Sequence, residues 1–133
     1  MKANELQIGD YVQHNGSAYV VEEISAKGWV HLIDPRYNVR VQMTSDYIID
    51  LLKPIPLTRE ILRKNFGEED AIGWFNMDEE YYEVYIREYT DSVWSVSYHS
   101  CEMNIEEQKV FVFHVHELQH ILRFFGIEKE IVL

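Results

Sequence analysis

Tyr82-Glu83-Val84-Tyr85-Ile86-Arg87 alternates apolar and polar side chains one for one, and Trp94-Ser95-Val96-Ser97-Tyr98-His99 does the same. A period of two sends successive side chains to opposite faces of a strand, so each stretch reads as a strand with one face in a core. Thr90-Asp91-Ser92 lies between them and reads as a turn. The two strands become the centre of an antiparallel meander. Val110 to Phe113 adds a wholly apolar strand, expected to be covered on both faces.

Upstream, Lys53-Pro54-Ile55-Pro56-Leu57-Thr58 is a stiff connector, because each proline disfavours helix in the residue before it. A helix is expected to follow over Arg59 to Asn65. Thr58 is its N-cap, Leu57 and Leu62 form a hydrophobic staple, Glu60 sits in the first turn, and Gly67 ends it. Glu68 to Asp70 reads as an acidic loop. Further upstream are short strands broken by turns: Ile8 to Val12, Ala18 to Val21, Trp29 to Ile33 and Val39 to Met43. Asn15-Gly16 is a strong hairpin signal, and Ala26-Lys27-Gly28 and Asp34 to Asn38 are turns. The fold class expected is α+β, mostly β. An N-terminal SH3-like barrel or curled sheet (1–53) precedes an α+β unit (54–133), and the two are free to share one core. The second unit is a short helix, the meander and a C-terminal helix.

That last helix is expected from His114 or Val115 to Phe125, with Gly126 as its C-cap. It contains His116-Glu117-Leu118-Gln119-His120, which matches H-E-x-x-H. On a helix, His116 and His120 lie on one face and could both ligate Zn²⁺, with Glu117 as general base for a metal-bound water. The third ligand would have to come from upstream, as His99 or His114, because little chain follows His120. A helical wheel opposes this reading. Ile121, Leu122 and Phe125 fall within about 60° of Leu118, while His116, His120 and Arg123 fall on the opposite side, where water is expected. Glu117 then serves only as a charge at the positive end of the helix dipole.

Composition excludes several classes. The 133 residues carry a net charge of −11. Residues 57–133 alone hold 16 acidic and 7 basic side chains. Phosphate backbones and anionic membranes would be repelled. Hydrophobic content of 47% and 14% aromatics suffice for a folded core. The single Cys101 forbids an internal disulfide and fits a reducing, cytoplasmic setting. No apolar run is long enough to span a membrane. Asp78-Glu79-Glu80 and Glu102 to Glu107 lack the ligand spacing and central glycine of a calcium loop and read as solvated turns.

Leu52-Lys53-Pro54-Ile55-Pro56-Leu57-Thr58-Arg59-Glu60-Ile61-Leu62, the aromatic meander and Val115-His116-Glu117-Leu118-Gln119-His120 together resemble a group of short uncharacterised Bacteroidetes proteins, several tied to phages or mobile elements. The similarity spans residues 6 to 130. It implies a small barrel plus an α+β unit and no known activity. In that group the C-terminal stretch reads V-H-x-L-Q-N or V-H-x-L-Q-H. The resemblance therefore implies that Glu117 and His120 are not fixed, and it transfers no functional residue.

The expected function is a non-enzymatic protein-interaction module without a cofactor, whose partner is another protein. Two readings compete with it. One is a zinc hydrolase using His116, His120 and Glu117 with His99 or His114. The other is an acidic inhibitor or nucleic-acid mimic that engages a basic partner through residues 68–107.

Overall fold

The computed structural model describes residues 1, 3–27, 29–43, 51–100 and 108–133. The chain forms two compact units, Met1–Ile55 and Pro56–Leu133. It is α+β and mostly β, with two antiparallel sheets and two α-helices. Gly28, Cys101 and the run Glu102 to Glu107 lie outside the described residues.

The first unit is a five-stranded sheet. After a 3-10 turn at Ala3–Glu5 come β1 (Tyr11–His14), β2 (Ser17–Ile24), β3 (Val30–Asp34), β4 (Val39–Met43) and β5 (Lys53–Pro54). Their order is β4-β3-β2-β1-β5, and every neighbouring pair is antiparallel. β4 and β5 stand at opposite edges, so the described strands form an open sheet and no closed barrel. Asn15 and Gly16 both take positive φ, the primed turn whose twist matches a right-handed hairpin. The turn after β3 is held by its own side chains. Asp34 accepts hydrogen bonds from the backbone N–H and the guanidinium of Arg36, and Asn38 adopts positive φ. Leu6, Val12, Val21, Val30, Leu32 and Leu52 make the core. The extended connector does more than link units: Lys53 and Pro54 pair with Gln13 and Val12.

The second unit holds α1 (Arg59–Phe66), β6 (Phe75–Asp78), β7 (Tyr82–Thr90), β8 (Val93–Ser100), β9 (Gln108–Val112) and α2 (Val115–Phe124). Its sheet runs β6-β7-β8-β9. α1 starts as its sequence dictates. The Ile61 N–H donates to Thr58 Oγ1 at 3.3 Å, Leu57 and Leu62 are buried, and Gly67 closes the helix at φ 80°. Thr58→Ala leaves that N–H to water, so a loss of about 1 kcal/mol is expected in urea denaturation. No measurable loss would mean the cap bond contributes nothing.

β6 was not foreseen. Its start is built by Asp70, whose carboxylate accepts from the backbone N–H of Ile72 and Trp74 and from Asn76 Nδ2 at about 3 Å. Gly73 turns the chain within this loop at φ 82°. The neighbouring Glu69 is gripped by Arg63 and Arg59. The Arg63 bonds in particular hold its carboxyl at about 2. The acidic loop is thus a fastened turn rather than a loose one.

One face of the sheet carries Phe75, Val84, Ile86, Trp94, Val96 and Val112. With Leu57, Leu62, Val115, Leu118, Leu122, Ile127 and Ile131 they supply the buried apolar side chains described in the unit. Trp94 donates its indole N–H to Leu57 O at 3.0 Å, which satisfies the polar end of a buried ring. The Arg59 guanidinium lies over the rings of Phe75 and Trp94 and pairs with Glu69 and Glu88. α2 ends in a Schellman motif. Ile127 N–H donates to Leu122 O, Gly126 N–H donates to Arg123 O, and Gly126 takes φ 74°. No helix among the described residues is long and apolar enough to cross a membrane.

Candidate functional site

The H-E-x-x-H residues sit on the first turns of α2, but they are not arranged as the motif suggests. Glu117 faces the helix N-terminus. Its carboxylate accepts from Phe113 N–H at 2.6 Å and His114 N–H at 3.1 Å, and it contacts His114 Nδ1 at 3.2 Å. Burial raises its pKa, but the hydrogen bonds from Phe113 and from the side chain and backbone of His114 outweigh burial and leave it lowered. This is the acidic half of a capping box. A base for a metal-bound water needs a free oxygen directed at the water, and these oxygens are turned to the cap.

The histidines divide. His114, His116 and His120 come together, with ring centroids 5.7 Å apart between the first two and 5.5 Å between the last two. His99 does not join them. It follows Tyr98 in β8, and Tyr98 stacks on Phe125 of the α2 C-cap, so alternation turns His99 to the opposite face. Among the described residues no group of three or more His, Cys, Asp or Glu side chains is placed to hold a metal ion.

The helical wheel is half right. Leu118 is fully buried, and Ile121 and Phe125 are partly covered. His116, placed towards water by the wheel, is only 8% exposed. A wheel treats one helix in isolation. Here the residue before the helix folds over it: His114 forms a bridge with Pro56, and its ring lies nearly parallel to that of His116. Arg123 does face solvent, and His120 is half-buried.

β9 also departs from the burial expected of an apolar run. Val112 is buried, but Phe111 is 47% exposed and Phe113 48% exposed, so the strand is covered on one face only. Among the described strands it lies at the edge of its sheet, beside β8. Tyr89, itself 57% exposed, meets Phe111 with ring centroids 4.8 Å apart. Lys109 lies over the Phe111 ring at 6.0 Å. Beside this ridge, Ser95 and Ser97 fill the same face of β8 opposite Phe111 and Lys109. Tyr89, Phe111 and Phe113 are functional candidates that the sequence reading assigned to the core or left aside. Their signal was the spacing of two phenylalanines at i and i+2, which places both on one face.

The chain matches no known family, no curated protein and no solved structure.

Proposed function

We propose that this chain is a non-enzymatic protein-interaction module that docks its partner on the aromatic side of β9. The observation that carries the reading is the exposed Tyr89–Phe111 ring pair, with Phe113 exposed two residues beyond Phe111 at the end of the outer described strand. Aromatic rings supply large contact area at low side-chain entropy cost, and they anchor interfaces when desolvated. β9 is the outer strand of its sheet among the described strands, the position from which a sheet is extended by a partner's strand. The acidic surface steers away nucleic acid and favours a protein partner. A cytoplasmic setting fits the lone Cys101.

The test uses the full chain immobilised in an extract of its own cells. A captured protein is identified, purified and rebound by calorimetry. Phe111→Ser with Phe113→Ser is expected to weaken that complex by at least about tenfold, with the circular dichroism spectrum unchanged. Undiminished binding by this double variant would overturn the reading.

A further inference from the structure

A second aromatic surface lies at another place on this unit, where β7 and β8 meet the end of α2. Tyr82 and Tyr98 stack at 6.0 Å and 29°, and Tyr98 and Phe125 at 4.4 Å and 7°. All three rings are half-buried, so the ladder is only partly covered. Phe124 extends it edge-on at 5.6 Å and is 81% exposed. Beside Tyr82 the β6–β7 hairpin carries Asp78, Glu79 and Glu80, all exposed, and Glu79 N–H donates to Tyr82 O at 2.9 Å. Burial, then the charge of Glu79, pushes the Tyr82 hydroxyl pKa up, consistent with that carboxylate lying near the ring.

These carboxylates differ from others in the chain. Glu22, Glu23, Glu69 and Glu88 are paired with arginines of the same chain. Asp78, Glu79, Glu80 and Glu83 form no ion pair among the described residues, and Glu83 accepts from Tyr85 Oη. Stacked rings present a negative π face, and an uncompensated acidic rim adds net charge. The cation that suits both is a guanidinium. It is planar, stacks on rings, is weakly hydrated and bonds carboxylates through two N–H groups at once. An ammonium is a strongly hydrated point charge and gains less from the ring face.

We propose that the Tyr82–Tyr98–Phe125 ladder and the Asp78–Glu80 hairpin bind an arginine-bearing basic segment of a protein partner. The proposal rests on the interaction-module reading and adds a second contact surface with its own partner chemistry.

The experiment titrates the full chain with an arginine-rich decapeptide, a lysine peptide of identical spacing and a glutamate control. The arginine peptide is expected to bind about threefold or more tightly than the lysine one. Glu79→Gln with Glu80→Gln is expected to weaken it about tenfold, and Phe124→Ala about threefold. Glu22→Gln with Glu23→Gln removes the same charge from the other unit and should change affinity by less than about twofold. Equal losses from the two double variants would show that the peptide reads net charge alone and would overturn the proposal. So would equal arginine and lysine affinities, or no binding at about 1 mM peptide. Phe111→Ser with Phe113→Ser should leave peptide binding intact. If that variant loses its partner while the wild-type chain binds no peptide, this inference falls and the β9 reading stands.

Discussion

Leu118→Ala is expected to destabilise the second unit by about 2–5 kcal/mol, while His120→Ala changes it by less than about 1 kcal/mol. Leu118 is fully buried on the face of α2 that packs with the sheet. Its truncation loses the transfer energy of the removed carbons and leaves a cavity, because the flanking β-branched side chains are stiff and close it poorly. Val115, one turn before Leu118 on the helix, is of that kind and is likewise fully buried. His120 is half-buried and keeps contact with water. Urea denaturation of both variants decides the matter. A larger loss for His120→Ala than for Leu118→Ala would mean that the histidine pair, not the leucine, is what this helix is built around.

Glu117→Ala is expected to cost about 1–2 kcal/mol near neutral pH, since it removes a capping-box acceptor and a carboxylate at the positive end of the helix. Solvent screening limits the charge component, because the side chain is about a third exposed. Glu117→Gln keeps an acceptor and loses only the charge, so its cost should be smaller. The pH dependence separates the two contributions. The folded-state pKa of Glu117 is lowered relative to the unfolded chain. Its charge therefore stabilises fully above the unfolded pKa of about 4.3, and the effect is lost as pH falls through the folded value. The gap between wild type and Glu117→Gln should close as pH drops below about 4. A gap that persists undiminished in acid would show that shape, not charge, carries the effect.

Local chemistry was readable where a residue acts on its own neighbours. Asn15-Gly16 specified a primed hairpin because only certain residues tolerate two positive φ angles. Thr58, Leu57, Leu62 and Gly126 marked helix ends through bonds spanning five residues or fewer. The alternation of Tyr82 to Arg87 placed β7, which buries one face, and that of Trp94 to His99 placed β8, although Ser95 and Ser97 on its other face are buried as well. What escaped depends on distant partners. β6 is four residues long and owes its start to the Asp70 turn, leaving too few positions for a period to emerge. An apolar run such as Val110 to Phe113 looks the same at the edge of a sheet as at its centre, since strand order is not a local property. The ring of His114 lies against that of His116, and His114 is bridged to Pro56, 58 positions upstream. The Tyr98–Phe125 stack joins β8 to the end of α2 and has no local signature. A match to H-E-x-x-H does not reveal that Glu117 stands three residues after the N-cap His114 and accepts from the backbone there.

The far end of β9 carries a consequence for self-association. A bare strand edge with phenylalanines at alternate positions is a template for endless stacking of copies into fibres. At Phe113 the register is already closed, because its carbonyl accepts from Leu57 N–H and its N–H donates to Glu117. Lys109 places a charge on the same face two residues before Phe111. A strand added to this edge is therefore stopped at the Phe113 end by chain that is already there, and it meets the positive charge of Lys109 beside Phe111.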